Sequence, residues 1–194
     1  KKSKDQNTPP KKPRANLIPC PNCKGIGILQ SNTPVKPDIL NYPHIAIIGG
    51  GIGGTALAVA CLHRGIPFSL YERDASFNAR SQGYGLTLQQ ASRAMACLGL
   101  RELDEGIKST RHIVHTTDGT IIGEWGMRKW LEAEPQSAPK RNNIHIARQA
   151  LRLALLKQAG GDSAVNWGHQ LLDYSDSNNG SMQLKFKVNG QEKI

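Results

Sequence analysis

Between an apolar run (Ile45-Ala46-Ile47-Ile48) and a helix-like stretch (Thr55–His63) stand Gly49, Gly50, Gly51, Ile52, Gly53 and Gly54. Residues of this type at this spacing can hold an anion on bare main-chain amides. Gly49 permits the tight turn out of a strand, and Gly51 lets the backbone approach a diphosphate. Gly54 lets a helix pack close to the strand, while the N–H groups of its first turn face the anion. Gly49, Gly51, Ile52, Gly53 and Gly54 are therefore the candidate cradle. A second strand-like run, Phe68-Ser69-Leu70-Tyr71, ends in Glu72, a carboxylate placed to accept from ribose hydroxyls, with Arg73 directly behind it. The chemistry implied is the binding of a dinucleotide.

The elements needed to position these residues are legible around them. Ala58 follows Gly54 by four residues and Cys61 follows Ala58 by three, so small side chains line one helical face for close packing on a sheet. Gly65 is placed to end that helix. Residues 45–62 are eighteen uncharged residues, the length of a membrane span, but five of them are glycines. Each glycine costs about 1 kcal/mol of helix propensity, so strand, turn and short helix account for the run better than a spanning helix.

Further along, Arg73–Gln82 reads as a loop and Gly83–Leu88 as a short strand. Residues 89–98 read as a helix closed by Gly99, and Leu100–Ile107 as another short helix. Arg111–Thr117 and Thr120–Trp125 are strand-like around a turn at Asp118-Gly119. A polar loop at Glu132–Asn143 precedes Ile144-His145-Ile146 and a helix at about Arg148–Gln158, closed by Gly160-Gly161. A strand around Val165–Tyr174 turns at Asn178-Asn179-Gly180 into Met182–Val188. There Met182, Leu184, Phe186 and Val188 alternate with polar residues, giving one apolar and one wet face. The formal glycosylation triplet Asn179-Gly180-Ser181 reads as part of that hairpin turn.

Composition adds bounds. The 194 residues suffice for one domain with a real core. The net charge is +10, but residues 1–43 hold eight Lys/Arg against Asp5 and Asp38, so the basicity belongs mostly to the tail. That tail is rich in Pro, Lys and Asn and is expected to be disordered. Its Pro9-Pro10-Lys11-Lys12-Pro13-Arg14 run lacks interleaved aromatics for base stacking, and a solvated arm is favoured over an import signal or a nucleic-acid contact. Cys20-Pro21-Asn22-Cys23-Lys24-Gly25-Ile26-Gly27 is a C-x-x-C-x-G-x-G knuckle similar to one repeat of the zinc region in J-domain chaperones. Two thiolates are half a tetrahedral site, and Cys61 and Cys97 lie in expected helices, so no metal site is assigned. Cysteine usage suits a reducing compartment, with the cytoplasm favoured. His112 and His115 lie three apart on a strand, hence on opposite faces, and are not a ligand pair. The chain opens on Lys and closes inside a strand-like run, Gln191–Ile194, which predicts a fragment at both ends.

The spacing Gly49-x-Gly51-x-x-Gly54-x-x-x-Ala58, continued to Gly65 and Glu72, resembles the FAD form of the dinucleotide fingerprint. Gly83-Tyr84-Gly85-Leu86-Thr87-Leu88, Leu98-Gly99-Leu100 and Arg148-Gln149-Ala150-Leu151 resemble successive segments of the FAD-dependent aromatic hydroxylases of the para-hydroxybenzoate and salicylate hydroxylase type. The resemblance covers about residues 44–194 and is tightest in its first third. Gln89-Gln90 departs from the Pro-Asn more usual in the family, and the family's later Asp-Gly and Gly-Asp motifs are not found.

The resemblance implies an α/β, Rossmann-like FAD-binding domain over 44–194, with inserted β structure from a substrate-binding region at 111–140. It implies an N-terminal portion of a monooxygenase that uses FAD, NAD(P)H and O₂ to hydroxylate an aromatic or other electron-rich small molecule. The protein then supplies position and a dry pocket rather than a catalytic side chain. It places Glu72 and Arg73 at the adenosine ribose and Arg80 and Arg148 on the flavin side, while Trp125 and Trp130 suggest an apolar wall. Two other readings stay open: an FAD-dependent reductase or dehydrogenase without oxygen activation, and an interaction protein using the knuckle, with a vestigial flavin domain.

Overall fold

The structure is a computed structural model and describes residues 20–23, 26–80, 83–89, 91–108, 111–126, 143–177 and 180–194. The Pro9–Arg14 run, Lys24 and Gly25 of the knuckle, Gln90, Trp130, nearly all of the 132–143 loop and Asn178-Asn179 lie outside the described residues.

The glycine turn is built into a strand–helix–strand unit. Strand β1 (Ile45–Ile48) leads through the turn into helix α1 (Ile52–Arg64), which returns the chain to strand β2 (Phe68–Tyr71). β1 and β2 pair in parallel, Ile45 opposite Phe68 and Ile48 opposite Tyr71. Parallel pairing puts the residues after both strands at the same edge of the sheet, which brings Gly49 and Glu72 together. Gly65, at φ 66°, closes α1 with its N–H on the Cys61 and Leu62 carbonyls. Ala58 and Cys61 are buried on the packed face, as the small-residue spacing predicts. Burial pushes the Cys61 thiol pKa up, consistent with a packed apolar role.

After β2 come β3 (Gly85–Leu88), α2 (Ala91–Cys97) and β4 (Ile107–Lys108), then β5 (Arg111–His115), β6 (Ile121–Gly126), β7 (Ile144–Ala147) and α3 (Arg148–Gln158). The helix expected over Leu100–Ile107 is absent. Gly106 N–H turns back to the Leu103 carbonyl, and Ile107-Lys108 pairs with β7 instead. The i, i+3, i+7 spacing of Leu100, Leu103 and Ile107 imitates a helix, but Leu100 and Leu103 reach the core from an irregular segment. β7 is the centre of an antiparallel sheet, flanked by β3 and β4, while β5 and β6 form a separate hairpin. The Asp118-Gly119 turn stands as expected, with Gly119 at φ 87°.

The run expected as one strand at Val165–Tyr174 is two. β8 (Val165–Asn166) joins β2 in parallel, and β9 (His169–Asp176) pairs with β10 (Met182–Val188). Gly168, at φ 72°, makes the break, since the left-handed region suits glycine and stops a ladder. β11 (Gln191–Lys193) completes a meander after an Asn189-Gly190 turn in which both residues have positive φ. The parallel sheet thus runs β1-β2-β8 with β2 central.

Helix α3 joins the two halves of the core. Leu156 packs with Ile47, Val59, Leu70 and Val165, whereas Leu151 and Leu155 pack with Leu88, Met95 and Ile146. Residues 26–43 form no helix or strand, yet part of this arm is placed: Asp38 N–H donates to the Gly65 carbonyl at 2.7 Å. None of the described helices is long and apolar enough to cross a membrane.

Candidate functional site: the glycine turn at the sheet edge

The turn begins at Gly49, whose φ of 103° lies where a side chain would be strained. A Cβ on Gly54 would overlap the Gly49 carbonyl oxygen, so the start of α1 sits directly on the end of β1. Gly51 and Gly53 differ, because a Cβ on either would meet nothing within 4 Å. They therefore face open space, as a cradle that must admit a ligand requires. Gly51 is the N-cap of α1 and provides no side-chain cap, and the first turn carries no acidic residue. Its orphan amides and the positive end of the helix dipole are left for an anion. Thr55, buried, turns its hydroxyl back onto the Gly51 carbonyl at 2.8 Å.

Glu72 is buried at the end of β2. Its Oε2 accepts from Gly50 N–H at 2.8 Å and its Oε1 from Asp74 N–H at 3.0 Å. Its own backbone is fixed as well: Glu72 N–H donates to the Asn166 carbonyl and its carbonyl accepts from His169 N–H. A buried carboxylate is tolerable with charge-assisted partners of this kind, worth about 1.5–3 kcal/mol each. The two oxygens retain lone pairs beyond these bonds. Glu72 is thus a brace for the turn as well as a candidate sugar acceptor.

Two residues of the turn's support escape sequence reasoning. A Cβ on Gly50 would press on Glu72 at 3.2–3.5 Å, so the carboxylate would have to shift slightly for any side chain there. Arg152 on α3 is 4% exposed and donates through Nε to the Gly50 carbonyl at 2.7 Å. Its Nη1 reaches the Phe77 carbonyl at 3.3 Å, and its guanidinium lies over the rings of Phe77 (4.8 Å) and Trp167 (5.8 Å). The signal for Arg152 was present: residues 152, 155, 156 and 159 share one helical face, and an arginine on an apolar face needs a reason.

The arginines expected at the site have distinct settings. Arg73 is exposed immediately after Glu72. Arg80 is held by Asp74, with its Nε 2.9 Å from Oδ2 and an Nη 2.6 Å from Oδ1, which folds the 73–80 loop back on itself. Arg148, the first residue of α3, donates to the Tyr84 hydroxyl and lies over that ring at 5.2 Å, and its N–H bonds the Tyr84 carbonyl. Next to it, Gln149 donates to the Phe77 carbonyl and leaves its Oε1 buried without a partner among the described residues.

The glycine turn, Glu72 and Arg152 meet at the carboxyl edge of the parallel sheet, where α/β folds bind ligands. The sequence aligns with a "Probable FAD-dependent monooxygenase" of Arthroderma benhamiae at 29% identity over 157 residues, which is 76% of this chain and 34% of that protein. The chain resembles FAD-dependent monooxygenases over part of their length. A chloroplastic zeaxanthin epoxidase of Oryza sativa subsp. japonica is 29% identical over 146 residues, 71% of this chain and 22% of that one. Among solved structures, p-nitrophenol 4-monooxygenase PnpA of Pseudomonas putida superposes with a TM-score of 0.63 at 11% identity. That match covers 78% of this chain and 38% of that chain and establishes the fold alone. No family profile matches the chain. The chain spans between about a fifth and a third of the length of these two sequence relatives.

His112 stacks on Trp125 at 5.5 Å on the β5–β6 hairpin, while His115 Nδ1 lies 3.3 Å from the Gly119 carbonyl, so the two histidines make separate contacts. Among the described residues no group of three or more His, Cys, Asp or Glu could hold a metal ion.

Proposed function

We propose that residues 44–194 form a Rossmann-like FAD-binding domain and that the protein to which they belong is an FAD-dependent monooxygenase. The observation that carries this reading is the open glycine cradle: Gly51 and Gly53 face empty space beside the uncapped amides of α1, with Glu72 anchored at the same sheet edge. The diphosphate would rest on Gly49, Gly51, Ile52, Gly53 and Gly54, and Glu72 with Arg73 would serve the adenosine ribose. Arg148, held at the head of α3 by Tyr84, is the stronger flavin-side candidate. Arg80 would have to share its charge with Asp74.

Bound FAD would accept a hydride from NAD(P)H and activate O₂ for hydroxylation of a small aromatic or other electron-rich molecule. The chain's own residues bind, orient and exclude water. The β5–β6 hairpin, with Trp125, would contribute to the substrate-binding region inserted at 111–140. The names of the sequence relatives, a probable monooxygenase and an epoxidase, support oxygenation over the reductase alternative, and the intact glycine cradle argues against a vestigial flavin domain.

The test is oxygen uptake by the longest protein carrying this chain, reconstituted with FAD. NAD(P)H oxidation coupled to O₂ consumption and stimulated by a phenolic compound is expected. Flavin reduction without an oxygenated product would favour the reductase. Purification with zinc and no yellow chromophore would favour the interaction protein built on the knuckle.

A further inference from the structure

Arg152 and Glu72 act on the glycine turn from opposite signs of charge. The peptide unit between Gly49 and Gly50 offers its N–H to Glu72, and the next unit, between Gly50 and Gly51, offers its carbonyl to Arg152. In a trans peptide the C=O and N–H point in opposite directions. Fixing the Gly50 carbonyl therefore also fixes the direction of the Gly51 N–H. Glycine-flanked peptides rotate easily, because both flanking residues accept φ of either sign. A rotated Gly50–Gly51 unit would present a carbonyl where an anion needs a donor.

The charge of Arg152 is the second observation. Among the described residues no carboxylate lies within ion-pair distance of it, although it is 4% exposed. Two carbonyls and two ring faces solvate the guanidinium, but they do not neutralise it. A desolvated cation is costly without a counter-charge. Glu72, which accepts from the Gly50 N–H, would by itself repel a diphosphate.

We propose that Arg152 is the positioning residue of the phosphate turn: it locks the Gly50–Gly51 peptide with the Gly51 N–H available to the anion, and its charge, held in no direct ion pair, offsets Glu72 and favours a dianionic diphosphate. This rests on the dinucleotide reading of the turn. Arg152→Lys keeps the charge and a single donor nitrogen, whereas Arg152→Met keeps much of the stem and loses both. The dissociation constants of ADP and FAD, measured calorimetrically on the whole chain, are expected to rise at least about tenfold in Arg152→Met and to recover to within about threefold in Arg152→Lys. The salt dependence of ADP binding should be shallower in Arg152→Met, a change that a mere packing defect would not produce.

Amide spectra supply an independent readout. In Arg152→Met the Gly51 N–H resonance should broaden or double while that of Gly65 stays sharp. In the wild-type chain the Arg152 Nε–H signal should shift on adding ADP, an expectation that holds even if Arg152→Met fails to fold. Equal ADP affinity in Arg152→Met and wild type, equal loss in both variants, or an unmoved Arg152 Nε–H signal in a chain that binds ADP would overturn the assignment and leave the dinucleotide reading standing. Failure of the wild-type chain to bind ADP or FAD at all would remove that reading and the role of Arg152 with it.

Discussion

At the residue scale, the glycines of the turn divide by what surrounds them. Gly54 is fixed by the protein, since its Cβ would overlap the Gly49 carbonyl. Gly51 has room, so its small size serves whatever approaches from outside. Gly54→Ala should therefore lower the melting temperature by several degrees and weaken FAD binding together. Gly51→Ala should cost under about 1 kcal/mol of stability, the usual loss of a glycine N-cap, yet weaken FAD binding at least about tenfold. Parallel melting curves and flavin-quenching titrations separate the two. His63 gives a pH signature. Burial first, and Arg64 second, hold its pKa below the ordinary value of 6.5. The unfolded chain then binds more protons as pH falls below 6.5, so stability is full above that pH and declines as pH drops toward the folded value. His63→Gln should flatten the fall in melting temperature between pH 7 and pH 5, and an unchanged slope would refute the contribution. Gly49 and Gly54 made the turn readable, because a positive φ at the one and the close approach of helix to strand at the other demand glycine. Gly50 and Arg152 were unreadable as partners, because their roles come from a contact across 102 residues of chain.

At the element scale, α3 holds the two sheets together, its face at Leu156 meeting β1, β2 and β8 and its face at Leu151 and Leu155 meeting β3 and β7. Leu155 is fully buried. Leu155→Ala should cost about 2–5 kcal/mol, read from denaturant unfolding, with both sheets lost in one transition. Two separate transitions would show that α3 does not couple them. Elements with their own periodicity were legible from sequence: β2 matches its expected span, and α1, α3 and β10 match closely. Two spans differ, each for its own reason. Leu100–Ile107 has helical spacing but folds as an irregular segment leading to β7, where a partner distant in sequence outweighs the local pattern. Val165–Tyr174 has strand character but is broken by Gly168 at positive φ, so that β8 joins β2 while β9 pairs with its hairpin neighbour β10.

At the scale of the whole molecule, the parallel unit and the meander meet at the candidate site. Tyr71, which precedes Glu72, stacks on Phe186 of β10 at 4.5 Å, and His169 of β9 donates its N–H to the Glu72 carbonyl. The residue that would hold the ribose is thus fixed by a sheet formed last in the sequence. Phe186→Ala should consequently weaken FAD binding as well as cost about 3–5 kcal/mol of stability, whereas a loss of stability alone would disconnect the meander from the site. The composition of the arm before β1 gave no sign of its bond from Asp38 to Gly65, since a single backbone contact has no sequence pattern. The central claim is that a dinucleotide diphosphate lies on the amides of residues 51–54. Its most direct test is an amide-resolved titration of the labelled chain with FAD and with ADP. The account predicts that the Gly51, Ile52, Gly53 and Gly54 N–H signals shift together, saturably, and with both ligands. Binding of either ligand with those four signals unmoved would contradict it.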